Sequence, residues 1–170
     1  MTLRRFSSRT EPLDTAFLSK SLQGASKYYR IAGYFRSSIF ELVGEELSTI
    51  PDVRIICNSE LDMVDFKIAT GRNVALKEKW NKIDVEAEAL LQKERYKKLD
   101  QLLQAGNVQI RVVPRELLFL HGKAGVIYYP DGKRISFIGS VNESKSAFCH
   151  NYELIWQDDD KVSEIGRAHV

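Results

Sequence analysis

The amino-acid sequence predicts an α/β fold in which helices pack on a mixed β-sheet. Strand-like and helix-like segments alternate over most of the chain, and the C-terminal part is rich in strands. A length of 170 residues is enough for one domain with a substantial core. The 44% hydrophobic and 28% charged fractions are typical of soluble globular proteins. We therefore expect residues 1–170 to form a single domain.

The first part of the chain is predicted to alternate helix and strand. Glu11-Pro12 and Gly24 mark the start and the end of a first helix. A strand is predicted over Tyr28–Phe35. Ser38 and Glu41, three residues apart, form a capping-box pattern that predicts the start of a second helix.

The following segments predict the rest of the sheet. Val53–Cys57 reads as a buried strand because its residues are mostly β-branched or apolar. Asp84 and Gly106 are good caps for a long helix, and Val108–Val113 is the next predicted strand. A hairpin follows, because Tyr129-Pro130-Asp131-Gly132 fits a type I turn between antiparallel strands.

The residues that can carry chemistry concentrate around this hairpin. His121 and Lys123 lie two residues apart on the apolar run before the turn, so strand geometry would place both side chains on one face. Ser140 and Asn142, also two apart, follow the returning strand near the end from which that run starts. Glu153 lies in another strand-like run and is expected to bring a carboxylate to the imidazole.

An imidazole, an ammonium, a hydroxyl and an amide in one pocket suit a phosphodiester. Lys123, Ser140 and Asn142 would bind the non-bridging oxygens and the charge that develops on them. Neutral His121 would attack phosphorus, provided that its other ring nitrogen donates to a carboxylate that fixes the tautomer. Glu153 is the candidate for that carboxylate.

These residues resemble the signature of the phospholipase D superfamily, which is His-x-Lys, then Gly-Ser-x-Asn, then a downstream Glu. The family motif has an Asp five residues after the Lys, whereas this chain has Tyr128 there. The resemblance implies a phospholipase D-like α/β/α sandwich with a mixed sheet, and a metal-independent phosphodiesterase that uses no cofactor. It also implies two motifs per active site. Because this chain carries one, we expect a homodimer in which a second His121 acts as the acid.

Single-motif members of the superfamily include nucleases, and similar domains occur at the N-terminus of helicase-like proteins, which residues 30–43 resemble. We therefore expect a nuclease that acts on DNA through a phosphohistidine, has a fused or associated helicase as partner, and forms the N-terminal part of a longer chain. Two alternatives stay open. One is a non-catalytic nucleic-acid-binding module of a helicase-like protein, and the other is a phospholipid-processing enzyme.

The charge pattern permits a nucleic-acid partner without proving one. The net charge is only +2, yet residues 1–36 carry seven Lys or Arg against two acids. Arg36 and Arg30 border the end of the first strand, where α/β folds often place sites, and with Lys145 they are the candidate nucleic-acid contacts. The sequence has no apolar run of membrane-spanning length and no secretory signal. We therefore expect a cytoplasmic protein without membrane contact.

Two further features are expected to be structural. Asp158-Asp159-Asp160 reads as a solvated acidic tail, because three consecutive carboxylates point in different directions and do not make a metal site. Cys57 and Cys149 lack a metal-binding spacing and are expected to be reduced thiols. No metal site is predicted.

Overall fold

The structure is a computed structural model, and it describes residues 3–58, 94–114, 116–117 and 119–159. In these ranges seven strands form one sheet: β1 (Leu3–Ser7), β2 (Lys27–Ala32), β3 (Asp52–Asn58), β4 (Val108–Val113), β5 (Ala124–Tyr128), β6 (Arg134–Gly139) and β7 (Leu154–Asp158). Their order across the sheet is β1-β7-β6-β5-β2-β3-β4.

The directions of the strands bring many strand ends to one edge of the sheet. Strands β2, β3 and β4 run parallel, whereas β5, β6, β7 and β1 each run antiparallel to the neighbour before them. As a result, the carboxyl ends of β1, β2, β3, β4 and β6 lie at the same edge as the amino ends of β5 and β7. We call this the upper edge. A sheet with both pairings confirms the predicted mixed sheet.

The described helices share one hydrophobic core with this sheet. The structure describes α1 (Ser19–Leu22), which continues a π-helical turn at Asp14–Leu18, and α2 (Phe40–Thr49), α3 (Glu94–Ala105) and α4 (Lys145–Cys149). Buried apolar side chains from all of these helical segments join those of the sheet in one core. Phe17, for example, meets Phe137 of β6 with ring centroids 4.9 Å apart. This arrangement confirms the α/β class. No described helix has both the length and the apolar character needed to cross a membrane.

Several local predictions are confirmed. Gly24 and Gly106 have φ angles of +70° and +79° and end helices, as their use as stop signals requires. In the predicted hairpin turn, the Gly132 amide donates to the Tyr129 carbonyl over 3.1 Å. Of the helix predicted from Asp84 to Gly106, the part over Glu94–Ala105 is confirmed, and residues 84–93 lie outside the described residues.

The predicted capping box is wrong. Ser38 belongs to a short 3₁₀ turn, Ser37–Ile39, and the α-helix begins only at Phe40. The Ser38 hydroxyl accepts a hydrogen bond from the Lys145 amide over 3.2 Å, and the Glu41 carboxylate accepts one from Lys145 Nζ over 2.8 Å. Both side chains therefore tie α2 to α4 and do not cap their own helix.

The predicted acidic tail is also partly wrong. Asp158 is the last residue of β7, where it pairs with Leu3 and Ser136, and its side chain is buried. A carboxylate with strand neighbours on both sides cannot be part of a solvated tail. Cys57 and Cys149 are both free thiols, as expected. In the described part of the chain, no three metal-ligating side chains lie close enough together to hold an ion.

Candidate active site

The five predicted site residues all lie at the upper edge. His121 and Lys123 precede β5, Ser140 and Asn142 follow β6, and Glu153 precedes β7. They share this edge because β5 and β7 run opposite to β6, so that their amino ends lie beside its carboxyl end. The prediction that His121 and Lys123 are strand residues is wrong, since β5 begins at Ala124, the residue after Lys123. Only the Lys123 carbonyl continues the ladder, by accepting from the Gly139 amide over 3.0 Å.

Lys123 and Asn142 converge above Gly33, the residue after β2. A Cβ atom at Gly33 would lie 3.1 Å from Lys123 Nζ and 3.3 Å from Asn142 Oδ1. Asn142 Oδ1 also accepts from the Tyr34 amide over 3.0 Å, and Lys123 Nζ donates to the His121 carbonyl over 2.9 Å. The bare backbone of Gly33 thus leaves the space in which the ammonium and the amide approach each other.

Asn58, the last residue of β3, fixes the backbone just before His121. Its Nδ2 donates to the carbonyls of Gly33 and Leu120, both over 2.9 Å, and its Oδ1 accepts from the Leu120 amide over 2.7 Å. Asn58 is only 2% exposed. The buried side chain of Asn58 therefore holds the segment that leads to His121 and Lys123 at a fixed distance from Gly33.

Glu153 binds the serine of the motif. One of its carboxylate oxygens accepts from the Ser140 hydroxyl, and that hydroxyl accepts from the Leu154 amide over 3.1 Å. The Glu153 amide in turn donates to Ser8 Oγ, which follows β1, over 2.8 Å. The Glu153 side chain is 8% exposed, so its charge is largely removed from water. Ser140 is therefore held in place from two sides.

His121 is exposed, and its ring packs against Phe119 with centroids 4.6 Å apart. Within the described residues its imidazole makes no hydrogen bond to Glu153, whose oxygens are bound by Ser140 and by Asn151 Nδ2 at 3.4 Å. The expectation that Glu153 orients the imidazole is thus wrong for this structure. The Glu153 carboxylate instead accepts a hydrogen bond from the Ser140 hydroxyl.

The segment from Ser140 to Glu143 alternates between the pocket and the core. Ser140 is exposed and Asn142 is partly exposed, whereas Val141 and Glu143 are buried. This alternation agrees with the predicted placement of Ser140 and Asn142 on one side of the segment. A charged residue on the inward side was not predicted, and it needs a partner.

Arg30 is that partner. Its Nε donates to Glu143 Oε2 over 2.8 Å, and its Nη2 donates to the carbonyl of Val141. Tyr28 completes the cluster by donating from its hydroxyl to Glu143 Oε1 over 2.9 Å. Burial, and then the charge of Glu143, raise the pKa of Tyr28 well above its usual value. A buried ionic cluster thus supports the backbone between Ser140 and Asn142 from below.

The expectation that Arg30 contacts nucleic acid is wrong for the same reason. Its side chain is 1% exposed and is paired with a carboxylate, so a polyanion cannot reach it. Arg36 is exposed, and its Nε donates to the Tyr34 hydroxyl over 2.6 Å. Lys145 forms a half-exposed ion pair with Glu41, and this hydrogen bond raises the pKa of the lysine. Arg36 and Lys145 therefore both lie at the surface, each with a polar partner.

Tyr128, which stands where the family motif has an Asp, lies far from these residues. It is the last residue of β5, next to the hairpin turn, and pairs with Lys27 and Arg134. Five residues of extended chain separate it from Lys123, which corresponds to about 16 Å. The substitution at this position therefore leaves the pocket itself unchanged.

Sequence reasoning missed Gly33, Asn58, Ser8 and the Arg30–Glu143 pair. Two of them leave a signal: Asn58 is a polar residue directly after a predicted buried strand, and Arg30 interrupts an otherwise apolar and aromatic strand. Gly33 and Ser8 leave none, because their roles depend on contacts with residues about 90 to 145 positions away.

Comparisons with known proteins bear on this arrangement. A family model described as "Cardiolipin synthase, PLD-like domain" matches residues 18–167. No curated protein matches the sequence. Among solved structures, Nuc from Salmonella typhimurium, a phospholipase D family member, is 11% identical with a TM-score of 0.53, over 94% of this chain and 84% of that one.

Two other solved structures share the fold. NucT from Helicobacter pylori is 17% identical with a TM-score of 0.50, over 98% of this chain and 90% of that one. Yeast tyrosyl-DNA phosphodiesterase is 8% identical with a TM-score of 0.55, over 92% of this chain but only 32% of that one. The chain thus spans about a third of the length of the yeast protein, and at such identities the likeness concerns the fold.

Proposed function

Because the chain belongs to the phospholipase D superfamily, we propose that it is a phosphodiesterase of the nuclease type, with His121 as the nucleophile. The observation that carries this proposal is the approach of Lys123 and Asn142 above Gly33, where Lys123 also binds the carbonyl of His121, whose imidazole is exposed. An ammonium and an amide at one point can hold two oxygens of the same phosphate. They then stabilise the negative charge that grows on those oxygens during attack.

The reaction proceeds in two displacements. A ring nitrogen of His121 attacks phosphorus, a P–N bond forms, and the bond from phosphorus to the leaving oxygen breaks. Water then attacks the phosphohistidine, the P–N bond breaks, and a phosphomonoester leaves with His121 restored. Ser140 has a positioning role and does not transfer a proton to the substrate. Its hydrogen bond to Glu153 holds the segment that carries Asn142 beside Lys123.

The leaving oxygen needs a proton in the first step. We propose that His121 of a second copy supplies it and later takes a proton from the attacking water, since the described residues place one histidine, not two, in this pocket. The site is therefore complete only in a homodimer. Neither step uses a metal ion.

We propose nucleic acid, and DNA in particular, as the substrate. Arg36 is exposed, and Lys145 is half-exposed although it is paired with Glu41, so both cations can be reached by a backbone phosphate. The name of one structural neighbour, tyrosyl-DNA phosphodiesterase, is that of an enzyme acting on a DNA-linked phosphodiester. A fused or associated helicase would supply strands to the site.

One observation favours a second function, a non-catalytic nucleic-acid-binding module. Among the described residues the His121 imidazole has no carboxylate partner, so its tautomer is not fixed for attack. The same ammonium and amide would still bind a backbone phosphate. Such a module would hold DNA for a motor domain.

A nuclease assay separates the two functions. We expect wild-type protein to cleave DNA equally well with and without EDTA. The cleavage rate of His121→Ala should fall more than about 1,000-fold. The rate of His150→Ala, a control at another exposed histidine, should change little. Mass spectrometry at alkaline pH should detect phosphate on His121. DNA binding by both His121→Ala and wild-type protein, without cleavage by either, would favour the module. Hydrolysis of phospholipid vesicles but not DNA would favour a lipid substrate.

A further inference from the structure

Exposed aromatic rings lie directly beside the pocket residues. Phe119 is 43% exposed and stands edge-on to His121, with ring centroids 4.6 Å apart. Tyr152 is 59% exposed and is the chain neighbour of Glu153. Single exposed apolar residues are common on protein surfaces. Two exposed aromatic residues at the same edge of the sheet, one in ring contact with His121 and one next to Glu153 in the chain, are a more specific feature.

Arginine side chains accompany the aromatic rings at this edge. The guanidinium of Arg9 lies over the Tyr152 ring, 4.7 Å from its centroid. Arg36 lies 5.5 Å from the centroid of Tyr34, whose amide holds Asn142. The edge thus combines flat apolar surfaces with fixed positive charges. This combination is typical of proteins that stack bases while they follow a phosphate backbone.

We propose that the pocket takes single-stranded nucleic acid, with bases stacked on Phe119 and Tyr152 while a backbone phosphate lies at Lys123 and Asn142. This inference rests on the proposed function and specifies its substrate. In a duplex the faces of the bases are covered by their neighbours, so a protein can stack on them only after the strand is opened. A phospholipid has no flat ring to place on these side chains, which distinguishes the two phosphodiester classes.

Binding measurements test the inference directly. Three fluorescent DNA probes of equal length are used with the inactive His121→Ala protein: a thymidine strand, a matched strand without bases, and a duplex. We expect the abasic strand to bind more weakly than the thymidine strand by at least roughly five- to 150-fold, which is the typical effect of losing one base–aromatic stack. The duplex should also bind more weakly, although it carries more charge.

Variants assign the effect to the two rings. Phe119→Leu and Tyr152→Leu should each weaken binding of the thymidine strand and leave binding of the abasic strand nearly the same. Trp156→Leu is the matched control, because Trp156 is a similarly exposed aromatic residue, 40% exposed, in the body of β7. Equal affinity for the thymidine and abasic strands, tighter binding of the duplex or of anionic phospholipid vesicles, or unchanged selectivity in both ring variants would each overturn the inference.

A small substrate without a base separates this inference from the proposed function. Wild-type protein should hydrolyse methyl p-nitrophenyl phosphate, since the chemistry needs only the phosphodiester. Hydrolysis of this compound together with equal binding of the thymidine and abasic strands would refute the stacking inference alone. Loss of the thymidine preference in the ring variants, without hydrolysis by the wild-type protein, would refute the proposed catalysis and support the stacking inference.

Discussion

Glu143→Gln tests whether the buried ionic cluster supports the pocket. The substitution keeps the shape of the side chain but removes its charge, so the Arg30 guanidinium is left buried without an anion. In the native protein the two side chains are 1% and 0% exposed, with 2.8 Å between Nε and Oε2. Water therefore cannot replace the lost partner. The amide nitrogen of Gln would also face another donor.

The expected cost is large because the pair is fully buried. Breaking such a pair from one side typically costs about 3–5 kcal/mol. With a urea dependence of about 2 kcal/mol per molar, this corresponds to a fall of roughly 2 M in the midpoint of unfolding. Since Arg30 also binds the Val141 carbonyl, we expect Ser140 and Asn142 to lose their positions and the cleavage rate to fall about 10- to 100-fold.

Urea unfolding followed by circular dichroism at pH 7 measures the first effect, and DNA cleavage under folding conditions measures the second. Arg30→Met combined with Glu143→Leu is the matched control, because it removes both charges together. We expect this double variant to regain most of the stability but not the activity. A loss of less than about 1 kcal/mol in Glu143→Gln, or a double variant that is no more stable than Glu143→Gln, would refute the reasoning.

Three further predictions concern Gly33 and Asn58 at the pocket and Tyr29 in the sheet. Gly33→Ala should lower the cleavage rate about 10- to 100-fold with less than about 1 kcal/mol loss of stability, whereas Gly122→Ala, where a Cβ meets nothing within 4 Å, should be neutral in both assays. Asn58→Ala should lower the free energy of unfolding by about 2–4 kcal/mol, measured in urea, because it strands three backbone groups; a loss below about 0.5 kcal/mol would contradict this role. Burial and the hydrogen bond to Asp52 raise the pKa of Tyr29 to about 12, above the value of roughly 10 in unfolded chains. Its contribution to stability is therefore complete below pH 10 and is lost as the pH rises to 12, and Tyr29→Phe should reduce that loss in unfolding titrations.

Much of the fold follows from local sequence signals. The strand over Val108–Val113 and the hairpin after it were predicted because their apolar runs and turn residues act over a few positions. The capping box at Ser38 failed because a more distant residue, Lys145, competes for the same side chains. Local patterns cannot report such a competition, since its outcome depends on how α2 and α4 pack.

The site was predictable as a set of residues but not as a set of contacts. His121, Lys123, Ser140, Asn142 and Glu153 were found because their spacing is constrained along the chain, and the structure brings them to one edge. The hydrogen-bond partner of Glu153 was predicted wrongly, because its carboxylate can accept from either His121 or Ser140. Glu153 was expected at the imidazole and instead accepts a hydrogen bond from the hydroxyl of Ser140.

The position of β1 has a consequence for how the protein matures. Of the described strands this one is synthesised first, yet within the sheet it pairs only with β7, the last of them to be synthesised. Residues Leu3–Ser7 must therefore wait until the chain has been made through Asp158 before they can join the sheet. Since the Ser8 hydroxyl contacts the Glu153 amide only after that step, a nascent chain on the ribosome would remain without a finished pocket.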